Sequence, residues 1–298
     1  MGSPVQTPSI SSVATNVLRL LGAAENPVDR MIRRLQIPSI CLAHLCELDT
    51  SPDTLVKLAN DVGFDSVGLR LAPALPEGIA YPLEVPGELE QLEATLLATR
   101  LEVASVELVR LGDSKQAHDY APMFETAARL GARRVIAASD CTSVELAVNR
   151  MREICDLALA FDLHIDLEFM PFRPLATLSD ALDVVERADR PNGHILIDAL
   201  HFHRARASIE DLRQLDPSLI GAFQICDGLR AAPTDLATEA REGRKMPGEG
   251  AFDLKLLVAN LPAGTPVAVE VPTYVSHKGL SQPARLLQLH RSTRAVLE

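Results

Sequence analysis

Four short apolar runs in the second half of the chain each end on a residue able to bind a metal ion. These are Glu168 in IDLEFMPF, Asp198 in ILIDALHF, Gln224 in AFQICDG and Glu270 in VAVEVP. A lone carboxylate inside such a run must neutralise or find a partner, because an isolated buried charge is strongly disfavoured. Four groups brought together can meet that need by sharing one divalent cation. Three carboxylates and an amide oxygen are hard donors, which points to Mn2+ or Mg2+, with Co2+ or Zn2+ as further options, and away from a zinc site rich in His and Cys.

Other residues end apolar runs or border them. His44, Arg70 and Glu107 close the first, second and third runs and are candidates to line the same pocket. Arg244 and Lys245 precede the turn Met246-Pro247-Gly248-Glu249-Gly250, whose glycines permit close backbone approach, so this loop can close basic groups over an anionic or polyhydroxylated ligand. His201, His203 and Arg204 follow Asp198; read as strand residues, they point alternately apart, and His201 is the one favoured to face the metal. His118, His164 and His194 are expected in helices or at strand starts, where a barrel carries stability and not chemistry.

The elements that must position these groups alternate regularly. Strand candidates cover 37–45, 65–71, 101–111, 133–139, 163–170, 193–200, 219–227 and 265–271, separated by stretches with helical spacing. SPDTLVKLANDVGF opens on a Ser cap and a first-turn Pro, and GELEQLEATLLATR keeps its apolar residues on one stripe. The order predicts an α/β fold: a single (β/α)8 TIM barrel over 37–298, close to the ~250 residues typical of that fold, with an N-terminal extension at 1–36. An open doubly wound sheet is the runner-up, but CELDTSP follows the first strand in place of a glycine-rich phosphate loop. Strand alternation puts Leu196, Ala222 and Ala268 behind Asp198, Gln224 and Glu270 as interior neighbours. It also puts Asp166 behind Glu168, so a second carboxylate enters the barrel and needs a bulge or a buried partner.

Composition narrows the partners. A formal charge of −11 argues against nucleic acid and anionic membrane surfaces. No apolar run is long enough to span a bilayer, and the N-terminus lacks a secretory pattern, so a cytoplasmic protein is expected. Five scattered cysteines, none spaced C-x-x-C, fit reduced thiols. Aromatics are 4% of residues and Trp is absent, so recognition of a small polar ligand must lean on polar groups. A homo-oligomer is compatible with the chain.

The segments LEFMPF, LIDALHFHR, FQICDG, REGRKMPGEGAFDL and VAVEV, in that order, carry a resemblance to the xylose isomerase-like barrel superfamily, the sugar phosphate isomerase/epimerase group, over 37 to about 296. The resemblance implies that Glu168, Asp198, Gln224 and Glu270 fall on the four metal-ligand positions and His201 on a substrate-contacting histidine. Many sugar epimerases of the group carry His where Gln224 stands. Hydroxypyruvate isomerases and bacterial 3-dehydroshikimate dehydratases are similar to this chain in having Gln, and the dehydratases resemble it in the basic loop before the P-G-x-G turn.

The activity expected is therefore a metal-dependent isomerase or epimerase of a sugar, sugar phosphate or keto-polyol, including a keto-polyol acid. It would work through a metal-stabilised enediolate, with Glu168 and Glu270 moving the proton from opposite sides. A substrate with a hydroxyl β to the carbonyl turns the same site into a dehydratase of the 3-dehydroshikimate or keto-inositol type. A non-catalytic binding barrel is the third reading.

Overall fold

The computed structural model describes residues 38–73, 79, 81–112 and 114–298. The extension expected over 1–36 lies outside the described residues. Eight parallel strands close into a barrel in chain order: β1 Ile40–Leu42, β2 Ser66–Arg70, β3 Glu102–Leu111, β4 Arg134–Ser139, β5 His164–Glu168, β6 Gly193–Asp198, β7 Ile220–Ile225 and β8 Val267–Val269, with β8 paired back onto β1. This is the TIM barrel expected from the alternation. The crossovers are α1 Pro52–Val62, α2 Glu88–Thr99, α3 Ala121–Arg129, α4 Val144–Leu159, α5 Leu178–Ala188, α6 Ala199–Arg204, α7 Ile209–Gln214 and α8 Leu254–Val258, and α9 Gln282–Leu297 follows the last strand. No described helix is long and apolar enough to cross a membrane.

Local chemistry explains where elements begin. Ser51 caps α1, its hydroxyl accepting from the Thr54 N–H, and Pro52 occupies the first turn. Asp198 does the same for α6: Oδ1 accepts the His201 N–H at 2.9 Å, which stops the strand short of the expected 193–200. His201, His203 and Arg204 consequently lie on a helix, so strand parity does not set their directions. The first strand is also shorter than expected, because His44–Glu47 turns into a 3-10 helix.

The interior alternation holds. Asp166, Leu196, Ala222 and Ala268 line a small void of about 30 Å³ inside the barrel, beneath Gln224. Asp166, fully buried, meets Arg134 of the neighbouring strand in a two-point pair, Nε to Oδ2 at 2.5 Å and Nη2 to Oδ1. Arg134, with its side chain 18% exposed, is the partner that the second carboxylate requires. At the strand starts His164 Nδ1 and His194 Nε2 lie 2.9 Å apart, and His194 Nδ1 lies 3.0 Å from the Ser218 carbonyl, which ties β5, β6 and the turn before β7 together.

Removing one member of a buried ion pair strands the other. Arg134→Met is expected to lower unfolding free energy by about 3–5 kcal/mol in urea titrations. Adding Asp166→Leu should recover most of the loss, since the stranded charge is then gone.

Candidate active site

The C-terminal ends of the strands surround a cavity of about 320 Å³ whose wall includes Glu168, His201, Gln224, Arg244 and Glu270. Each group arrives by a different route. Glu168 and Asp198 are the last residues of β5 and β6, Gln224 lies one residue before the end of β7, and Glu270 follows β8 directly. His201 enters from the first turn of α6. Arg244 comes from the long segment between β7 and β8, immediately after a π-helical turn at Glu239–Gly243, a distortion common at functional sites.

The polar contacts converge. Arg244 is 2% exposed; its Nη1 donates to Asp198 Oδ2 at 2.5 Å, its Nη2 lies 3.0 Å from Glu270 Oε2, and its Nε donates to the Ala240 carbonyl at 2.9 Å. Gln224 Nε2 donates to Glu270 Oε1 at 2.9 Å. That bond fixes the amide orientation, because a flipped amide would set oxygen against carboxylate, so Gln224 presents Oε1 as an acceptor. Gln224 Oε1 and Glu168 Oε1 are both buried without a hydrogen-bond partner. His201 Nε2 stands 3.5 Å from Glu168 Oε1, and the Glu168, Asp198 and His201 donor atoms lie within 4.8 Å of one another.

Charge at this centre does not balance. Glu168, Asp198 and Glu270 are buried around a single guanidinium. Burial, reinforced by Glu270 and Asp198, pushes the Glu168 carboxyl well above the usual range, and burial raises Glu270 to about 8 despite Arg244. Burial also opposes ionisation of Asp198, but Arg244 and His201 outweigh it and hold that carboxyl below its ordinary value. His201 is pushed down to about 4 by burial. Two unpartnered acceptors amid surplus negative charge are what a divalent cation with oxygen ligands requires, so Glu168, Asp198, Gln224 and Glu270 fit such a group.

The remaining sequence-marked residues divide. Glu107 and Arg70 line the cavity; Arg70 Nη2 is 3.3 Å from Glu107 Oε2, and Glu107 Oε1 is buried and unpartnered. His44 is not in the wall. Its Nδ1 accepts the Arg70 N–H at 2.9 Å and its Nε2 lies 2.9 Å from the Thr50 carbonyl, so the ring is spent on backbone and cannot also bind substrate. His203 turns away onto Phe252, ring centroids 4.0 Å apart, and Arg204 makes a two-point pair with Glu239. Arg244 does not stand free to close over a ligand, because its guanidinium is already seated among the acids.

Other residues of this mouth went unmarked by sequence reasoning. Asp227, in the CDG sequence three residues past Gln224, bridges through its backbone to Lys245 and accepts N–H groups from Gly228, Gly248 and Phe252. A Cβ at Gly250 would strike its carboxylate, so glycine there permits the loop to close on it. Arg204–Glu239 holds the π turn that offers its Ala240 carbonyl to Arg244. The only sequence signal was an acidic residue beside a glycine at a strand end. The Arg204–Glu239 pair spans 35 residues and left none.

A closed parallel barrel with buried carboxylates at the C-terminal mouth defines the class: a (β/α)8 protein with its chemistry-bearing groups on the catalytic face. A family model described as xylose isomerase-like TIM barrel matches residues 56–290, and the chain belongs to that family. An inosose isomerase of Bacillus subtilis (strain 168) is 27% identical over 228 residues, 72% of this chain and 81% of that protein. A crystal structure of the IolI protein with a bound zinc atom superposes with a TM-score of 0.72 at 24% identity, over 87% of this chain and 98% of that one. The probable 3-DHS dehydratase AsbF of Bacillus anthracis superposes at 0.68 with 18% identity, over 87% and 99%. The chain is similar to each of these.

Two measurements test the local architecture. Asp227→Ala should speed hydrogen exchange at the Gly248 and Phe252 amides, which lose their acceptor, while Asp227→Asn retains part of the protection. Burial holds the folded His44 at about 4 against an ordinary 6.5, so the unfolded chain takes up that proton first as pH falls. Its contribution to stability is complete above 6.5 and is lost toward pH 4. In urea titrations across that window, wild type should lose stability more steeply than His44→Gln, by up to about 1.4 kcal/mol per pH unit.

Proposed function

We propose that this protein is a divalent-metal-dependent isomerase or epimerase of a keto-polyol, sugar or sugar phosphate, with Glu168 and Glu270 as the proton-transfer pair. One observation carries the reading: three carboxylates are buried at the same barrel mouth as the Gln224 amide, acceptor atoms on Glu168 and Gln224 are unmet, and Arg244 is the counter-charge paired with Asp198 and Glu270. The sequence relative is named an inosose isomerase. An inosose is a ring ketone flanked by hydroxyl-bearing carbons, whose hydrogens are the protons such a site would move. Glu168, Asp198, Gln224 and Glu270 would hold the ion, with Mn2+ or Mg2+ the first choices for oxygen ligands and Co2+ or Zn2+ further ones. When bound, it would supply Lewis-acid polarisation of the ketone and its neighbouring hydroxyl.

The rest of the task falls to the side chains. Glu168 and Glu270 stand at the ends of β5 and β8, with β6 and β7 between them, so they approach a ligand on the axis from different sides. One removes the proton from the carbon beside the ketone and the other returns one. Return to the opposite face of the same carbon gives epimerisation; return to the former ketone carbon, with the hydroxyl proton passing to the former ketone oxygen, gives isomerisation. Burial raises the proton affinity of both carboxyls, a rise that a bound cation would oppose. His201, uncharged and 3.5 Å from Glu168, is placed to hydrogen-bond a substrate oxygen. Gln224 holds Glu270 in place through its amide N–H.

Gln224 also supports a second reading, a dehydratase in which the same proton removal expels a hydroxyl β to the ketone. The two part on product. An isomerase incorporates solvent deuterium without a new chromophore, whereas a dehydratase accumulates a conjugated, ultraviolet-absorbing product.

Elemental analysis of purified protein should find about one divalent ion per chain, removed by chelation and restored by Mn2+ or Mg2+. Glu270→Gln should lower that occupancy, and Glu168→Gln should reduce deuterium exchange into an inosose by about 10²–10⁴-fold. A metal that is neither retained nor restored, or full exchange in Glu168→Gln, overturns the assignment.

A further inference from the structure

The proton-transfer centre leaves a second group of charges in the same cavity unused. Arg110, one residue before the end of β3, and Arg173, in the loop after β5, both line the wall. Both reach one carboxylate, that of Asp140 just past β4. Arg110 Nη1 is 3.3 Å from Oδ2, and Arg173 Nη1 meets Oδ1. Two guanidiniums on one carboxylate leave a positive charge uncompensated. The Arg173 side chain is only 18% exposed, and its Nε–H is buried with no acceptor. A guanidinium N–H taken from water and left unmet is costly. Placed on a cavity wall, it is a donor waiting for an acceptor from outside.

The pair is within a ligand's reach of the reacting centre. Phe172 packs edge-on against His201 with ring centroids 5.5 Å apart, and the Arg173 guanidinium lies 5.9 Å from the centre of the same ring. One aromatic ring thus separates Arg173 from the histidine beside Glu168. The other cavity arginines are differently disposed: Arg244 is seated on Asp198 and Glu270, Arg70 faces Glu107 although its Nε is also unmet, and Arg241 is exposed.

We propose that Arg110 and Arg173 form an oxyanion subsite, and that the substrate is a keto-polyol bearing a carboxylate or phosphate at the end remote from its ketone. Asp140 draws the two guanidiniums together, and the unmet Nε–H of Arg173 with the more open Arg110 supplies N–H donors of the kind that suit a planar or tetrahedral oxyanion. Phe172 spaces this group from the carbon that reacts. The keto-polyol half of this statement rests on the isomerase reading; the oxyanion half stands on the arginines alone.

The metal-replete protein is assayed with D-fructose and D-fructose 6-phosphate, and its melting temperature is measured in phosphate, acetate and chloride at equal ionic strength. The 6-phosphate should be favoured in kcat/KM by about tenfold or more. That preference should collapse by a similar factor in Arg173→Gln and in Arg110→Gln and be partly rescued in Arg173→Lys. Phosphate or acetate should raise the melting temperature of wild type above that in chloride, and much less that of Arg110→Gln/Arg173→Gln. A larger shift in phosphate indicates a phosphorylated substrate, and a larger one in acetate a carboxylate. A wild-type preference near one, or a preference unmoved by the substitutions, overturns the subsite, as does an equal melting shift in wild type and double variant. Should neither ketose turn over, and no deuterium enter an inosose, while the arginine-dependent melting shift persists, the isomerase reading is what fails and the subsite stands.

Discussion

Three carboxylates drawn out of water around one guanidinium leave the barrel mouth with surplus negative charge, and much of the surrounding structure answers to that imbalance. Glu168, Asp198 and Glu270 are each held in place by backbone that ends a strand, so they cannot separate without opening the sheet. Arg244 neutralises part of the charge and is anchored to do so by the Ala240 carbonyl. Burial, reinforced by what is left over, raises the proton affinity of Glu168 and Glu270, and acceptor atoms on Glu168 and Gln224 stay unmet. One electrostatic condition therefore underlies both the unmet acceptors and the raised carboxyls, the two features on which the proposed cation site and proton-transfer pair rest.

The long segment between β7 and β8 is the structural counterpart of that condition. A guanidinium can enter a buried acidic centre only if the chain carrying it is held from both sides. Asp227 gathers the N–H groups of Gly248 and Phe252 beyond Arg244, and Arg204–Glu239 braces the π turn before it. Arg204 lies on the helix that Asp198 caps and His201 opens, so the segment carrying Arg244 is fastened to the element that carries the histidine. Lower in the barrel the same rule recurs on a smaller scale: Asp166 is buried because Arg134 is there to meet it.

Much of this was legible in the chain. Period-two runs alternating with helical spacing marked eight strands, and the parity of Leu196, Ala222 and Ala268 correctly put them on the inside of the barrel. The acidic residues at strand ends stood out because each interrupts an apolar run. His201 was marked, though the strand argument behind it gave way to a helix, since a side chain that caps a helix by accepting the N–H three residues ahead ends the strand at once. His44 was marked by the same strand-end rule and turned out to serve backbone. Position along a strand says which end a side chain occupies, and says nothing of which backbone groups compete for it.

Sequence by itself determined the barrel, the face on which chemistry-bearing groups collect and the donor types present, because periodicity and residue chemistry are local properties. Tertiary structure alone decided that Arg244 sits among the carboxylates, that Asp227 and Glu239 hold its loop, that Arg134 meets Asp166, and that Arg110 and Arg173 share Asp140. Each of these joins residues whose separation along the chain carries no periodic signal. Each depends on burial, which sets the strength of a charge interaction and exists only once the sheet has closed.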